Sequence, residues 1–127
     1  MLMRLYTPAD RDLLFQMFED EGPDWAEYYQ DSTRRKYEQA LEHSITYLAF
    51  ADDKLCGYVR CREDDGFGVY IYDLLVAKAF RGHAIGSRLM AQVRADFPEQ
   101  TVYVMSDVDE YYEKLGYKRE GSIFVVS

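Results

Sequence analysis

The 127-residue chain has two cysteines, three prolines and one tryptophan, and none of its apolar runs approaches the ~20 residues of a membrane span. Cys56 and Cys61 lie an odd number of positions apart on an expected strand, so alternation turns them to opposite faces. No disulfide, zinc framework or other metal site follows from such a pair. Excess positive charge is also missing. Fifteen Lys and Arg against 23 Asp and Glu leave a net charge of -8, which argues against nonspecific nucleic-acid or anionic-membrane binding. The same charge suits a cationic acceptor mildly and solubility generally. The start, "MLMRLYTPADRDLL", lacks the apolar core of a signal peptide and turns acidic at once, so a cytoplasmic protein is expected. Repeats, low-complexity tracts and linkers are absent, and the length suits one domain over residues 1–127.

Aromatic residues are plentiful. Twelve tyrosines and seven phenylalanines imply a ring-lined core and ring-lined pockets. "MRLYT" opens as a short strand. A helix follows from Thr7, with Pro8 at its first position, Asp10 in its first turn, and Leu13, Leu14, Met17 and Phe18 as its apolar stripe. "EGPDWAEYY" is a turn-rich break holding Trp25, Tyr28 and Tyr29, which either pack a helix corner or roof a pocket. A second helix starts near Asp31 or Ser32 and turns Tyr37, Ala40 and Leu41 inward. "SITYLAFADDKLCGYVRCRED" reads as a hairpin turning at Asp52 and Asp53. "VYIYDLLVA" is apolar enough for a strand covered on both faces. The helix behind it carries Ile85, Leu89, Met90, Val93 and Phe97 inward and stops at Pro98. "TVYVMS" is a buried strand, "DVDEYYEKLG" a short helix ending at Gly116, and "YKREGSIFVVS" a closing strand. The expected order is β-α-α-β-β-β-α-β-α-β, an α/β mixed sheet with helices on both faces.

The stretch "FRGHAIGSRLM" carries the chemistry. Gly82 and Gly86 remove side chains at a helix opening, where free N–H groups and the positive dipole end favour an anion. Neither the dinucleotide fingerprint G-x-G-x-x-G nor the phosphate loop G-x-x-x-x-G-K-[ST] is present. Alone, Arg81-Gly82-His83-Ala84-Ile85-Gly86 is a weak signal. "DLLV" ending five residues before Arg81 and "YYEKLGY" about thirty residues later strengthen it.

Together these motifs resemble the GNAT N-acyltransferase superfamily, with its [RQ]-x-x-G-x-[GA] pyrophosphate motif and its Tyr-x-x-x-Gly-[FY] helix. "DDKLCGYV" resembles the family's hairpin turn, and the likeness runs over about residues 45 to 120. It implies a GNAT fold and acetyl transfer from acetyl-CoA to an amine, without a metal. Leu75 and Val76 would pair their backbone with the pantetheine arm. Arg81, Gly82, His83, Ala84, Ile85, Gly86 and Ser87 would surround the pyrophosphate. Tyr112 would protonate the departing thiolate, a task a phenol of pKa ~10 can perform for a thiol near ~8.5.

Two positions depart from the family pattern. Ala84 stands where a central glycine is usual, and an αR backbone there would preserve the cradle. Tyr72 stands where several amine acetyltransferases carry a Glu base. Asp73, or a water held by Tyr72, is left for that role, and alternation lets only one of the two side chains face the acceptor. Plainer roles compete: Tyr112 as a core tyrosine, Tyr111 as packing, Asp73 as a buried structural carboxylate, and His83 and His43 as surface residues. An acyl-CoA-binding sensor without turnover is the rival function. A last strand through "SIFVVS" would expose an apolar edge from Ile123 to Val126, which implies a homodimer.

Overall fold

A computed structural model describes residues 1–127. Strand β1 (Leu2–Leu5) leads into a 3-10 turn at Pro8–Asp10 and helix α1 (Arg11–Glu21). Asp10 organises this entry. Its carboxylate accepts the Thr7 backbone N–H at 2.8 Å and both guanidinium nitrogens of Arg4 at 2.7 and 2.8 Å. The apolar stripe of α1 comprises Leu14, Phe15, Met17 and Phe18. Leu13, expected inward, is half exposed, and Phe15 takes the core position, edge-on to both Phe18 and Tyr37.

A second 3-10 turn (Pro23–Trp25) and the single-turn α2 (Ala26–Tyr29) connect to α3 (Arg34–Glu42), which buries Tyr37 and Leu41 as its pattern required. Strands β2 (Ile45–Ala51) and β3 (Lys54–Glu63) form the expected hairpin. Asp52 and Asp53 turn it with φ of 49° and 68°, the two left-handed residues that match a tight turn to strand twist. Then come β4 (Val69–Val76), a 3-10 turn (Lys78–Phe80), α4 (Ile85–Asp96), β5 (Val102–Val104) and α5 (Asp109–Lys114). The sheet order is β1-β2-β3-β4-β5, antiparallel except for the parallel β4–β5 pair that α4 connects. This is the mixed α/β sheet that the sequence implied.

Each face of the sheet has its own core. Leu14, Phe15, Phe18, Tyr37 and Leu41 pack against Leu48, Phe50, Tyr58 and Leu75. On the other face Ile85, Leu89, Met90 and Val93 of α4 cover Val59, Val69 and Ile71. Gly57 lets α4 approach: a Cβ there would stand 3.2 Å from both Ile85 and Leu89.

Three expectations fail. Residues 118–127 form no strand, and Ile123 to Val126 are 68–98% exposed. A strand needs a neighbour, and β5 is only three residues long, too short a ladder to offset the ordering of a tail. For the same reason β5 is half-buried rather than buried. Cys56 and Cys61 both lie in the core beneath α4. Register slips where Leu55 and Gly57 face Phe50 and Ala49, so Cys56 is an extra residue that resets the alternation. Both thiols are free and buried, and burial holds Cys61 up at about 11.

Candidate functional site

Strands β4 and β5 part company after Ile71. Their pairing runs from Val69 to Ile71, and the last bond is Met105 N–H to the Ile71 carbonyl at 2.9 Å. Beyond it, Tyr72–Val76 has β3 on one side and no strand on the other. A sheet edge is open there.

The same strand carries a bulge. Arg60 faces Asp73 and Cys61 faces Ile71, so Tyr72 is the extra residue. A bulge resets the period-two pattern, and Tyr72 and Asp73 consequently share a face. Both lie against Arg60, whose guanidinium carbon sits 5.6 Å from the Tyr72 ring and whose Nε donates to Asp73 Oδ2 at 2.5 Å. Strict alternation would have turned these two side chains to opposite faces, and the slip removes that restriction.

Asp73 is the hub of a buried polar cluster. The residue is 6% exposed, and besides Arg60 it accepts Tyr28 OH at 2.8 Å and Tyr37 OH at 2.7 Å. Tyr37 has spent its only proton on Asp73, so the 2.8 Å contact between the Tyr37 and Tyr58 hydroxyls is a donation from Tyr58. Burial, reinforced by the Asp73 charge, pushes the Tyr28 and Tyr37 phenols upward, and Tyr58 rises for the same first cause. Arg60 also donates to Ser44 Oγ at 3.1 Å. A carboxylate held by three donors is placed as an anchor, the structural alternative for Asp73. Arg60 had gone unremarked in the sequence; a lone arginine inside "LCGYVRC" was the available signal. The aromatic corner packs: Trp25 stacks on Phe18 at 5.5 Å, while Tyr28 stacks on Tyr37 at 4.2 Å and reaches Asp73.

At the end of the open edge lies the glycine-punctuated loop. Gly82 has φ of 85°, and Ala84 has φ 61°, ψ 23°. Ala84 is thus left-handed, not right-handed as expected, because the chain must reverse before α4 and no glycine is available at that point. No side chain caps α4, and the amides of Ile85, Gly86 and Ser87 make no hydrogen bond within the chain. Three free donors at the positive end of a three-turn helix are a chemistry that suits an anion. Ser87 Oγ is turned back onto the Ala84 carbonyl at 3.0 Å, and His83 is exposed. Gly86 serves a neighbour inside the protein: a Cβ there would stand 2.5 Å from the Tyr111 hydroxyl oxygen and 3.6 Å from Val76. Tyr111 therefore rests on the first turn of α4.

Tyr112 points elsewhere, its ring at 81° to that of Tyr111. It is half-buried against the core beneath α4, alongside Leu74, Val76 and Val104. Burial first, then the charge of Asp107, raises its phenol to about 12, so it holds its proton at any physiological pH. The fold thus gathers Leu75, Val76 and the loop from Arg81 to Ser87 at the C-terminal end of β4, with Tyr72 and Asp73 on the face of α1–α3 and Tyr112 on the face of α4. No group of three or more His, Cys, Asp or Glu side chains is arranged to hold a metal, and no helix is long and apolar enough to cross a membrane.

A model of the acetyltransferase (GNAT) family matches residues 14–117. An uncharacterized N-acetyltransferase, ycf52 of Porphyra purpurea, is 27% identical over 96 residues, covering 68% of this chain and 55% of its own. The chain thus spans about half the length of the curated relatives it matches. Among solved structures, aminoglycoside 6'-acetyltransferase type Ii has a TM-score of 0.76 at 26% identity, over 95% of this chain and 85% of that one. An aminoglycoside 6'-N-acetyltransferase complexed with coenzyme A has a TM-score of 0.75 at 22% identity, over 95% and 87%.

Proposed function

The chain belongs to the acetyltransferase (GNAT) family, and on that premise we propose that it moves an acetyl group from acetyl-CoA to a primary amine by direct attack. The observation that carries the proposal is the uncapped start of α4 at the end of an open β4 edge. The free amides of Ile85, Gly86 and Ser87, with the loop from Arg81 to Ala84, suit the two negative charges of a pyrophosphate. Leu75 turns its backbone to β3, and Val76 turns its own to the open side. That open edge beside Leu75 suits the amides of a pantetheine arm, as a strand edge accepts an extended peptide. A fold neighbour solved with coenzyme A supports the same choice.

Both substrates bind before chemistry in this reading. The amine nitrogen attacks the thioester carbon, the C–N bond forms and the C–S bond breaks. Tyr112 gives its phenolic proton to the departing sulfur and recovers one from solvent. The backbone N–H of Val76, beside Leu75 and facing the open side of β4, polarises the carbonyl. With Asp73 committed to three donors, the proton of the attacking amine leaves through a water held by Tyr72. The acceptor is a small cationic amine, in keeping with the net charge of -8 and with the aminoglycosides named for the fold neighbours. Pairing of the exposed Ile123–Val126 segments of two copies belongs to the same proposal and predicts a dimer in sedimentation.

The test is thiol release from acetyl-CoA against aminoglycosides, polyamines, amino acids and peptide N-termini. Amine-dependent release supports the transferase. Tight acetyl-CoA binding with no release for any amine would support a sensor, the reading favoured by the anchored Asp73.

A further inference from the structure

Arg81 is the cation of the anion loop, yet its guanidinium is occupied elsewhere. Nε donates to the Val76 carbonyl at 3.0 Å, and a terminal nitrogen pairs with Glu21. Glu21 closes α1, sixty residues earlier in the chain, and its side chain is 13% exposed, whereas that of Arg81 is 49% exposed. A carboxylate at the last residue of a helix faces the negative end of the dipole and gains from a cation beside it. The guanidinium therefore lies across the end of β4 and caps the Val76 carbonyl.

We infer that Glu21 is a determinant of cofactor affinity, acting through Arg81 as a positioning residue. In the cofactor-free protein the Glu21 carboxylate holds the guanidinium over the Val76 carbonyl. When acyl-CoA binds, the pyrophosphate takes the guanidinium and the carbonyl is uncovered for the pantetheine arm. This rests on the acyl-CoA reading of the site. The exchange is feasible because the Arg81 side chain is half exposed, and an ion pair with a solvent-exposed partner is weak. A doubly charged pyrophosphate beside three free amides is the stronger partner for a guanidinium than one carboxylate.

Titration with coenzyme A and, separately, with pantetheine, which lacks the pyrophosphate, tests the inference without turnover. Glu21→Gln should bind coenzyme A about two- to fivefold more tightly than wild type, the scale of a half-exposed ion pair. Arg81→Ala should weaken coenzyme A by roughly tenfold, as expected for a lost charge-assisted contact, yet leave pantetheine unchanged or tighter. In NMR the Arg81 Nε–H signal should move when coenzyme A is added. Coenzyme A affinity that is unchanged or weaker in Glu21→Gln overturns the inference, as does an equal loss for both probes in Arg81→Ala. A folded wild-type protein that binds neither probe overturns the acyl-CoA reading, and this inference with it.

Discussion

Arg60→Met is the sharpest probe of the buried hub. The side chains of Arg60 and Asp73 are 13% and 5% exposed, and their contact is 2.5 Å. Methionine keeps the apolar stem but removes the cation, leaving a buried carboxylate with only the Tyr28 and Tyr37 hydroxyls as donors. Breaking a buried pair in this way costs about 3–5 kcal/mol, or roughly 10–20 °C in Tm for a chain of this size. A surface pair would cost under about 1 kcal/mol. Thermal melts followed by circular dichroism should show the deficit. Arg60→Met with Asp73→Leu should recover most of the loss, because no charge is left stranded. A deficit below about 1 kcal/mol would refute the idea that this ion pair is a closed, dry contact.

Other perturbations address the remaining sites. Ala84→Gly should stabilise the fold by up to about 1 kcal/mol, since a left-handed Cβ costs roughly 1–2 kcal/mol and glycine returns some of that as chain entropy; a lower urea midpoint would count against the left-handed geometry. Asp10 is held down at about 2, first by its hydrogen bond from Arg4, from an ordinary 3.8. That lowered value contributes stability above pH 3.8 that is lost as pH falls through 2, on the order of 1–2 kcal/mol after allowing for the exposed Arg4. Asp10→Asn melts should therefore converge on wild type in strong acid and diverge at neutral pH. Tyr112→Phe should lower turnover by ~10²–10⁴-fold while cofactor affinity holds; a loss of only a few-fold would make Tyr112 a packing residue.

Features encoded by neighbours in the chain were legible before any coordinates. The Asp52-Asp53 turn, the inward faces of α3 and α4, and the glycine-punctuated opening of α4 each follow from residues a few positions apart, because helix period and turn conformation are local properties. The motif from Arg81 to Gly86 beside "DLLV", with the Tyr112 helix after it, sufficed to point to the family. What stayed hidden depends on register and on distant partners. A bulge at Tyr72 is set by how β4 meets β3, and it alone places Tyr72 and Asp73 on one face. The ties of Asp73 to Tyr28, Tyr37 and Arg60, and of Arg81 to Glu21, span 13 to 60 residues. The seat that Gly86 gives Tyr111, twenty-five residues later, is likewise set by packing. Sequence fixes a side chain's chemistry and its local direction. Which charges neutralise one another, and which carboxylate remains free to act, is decided only when packing brings separate elements within bonding distance.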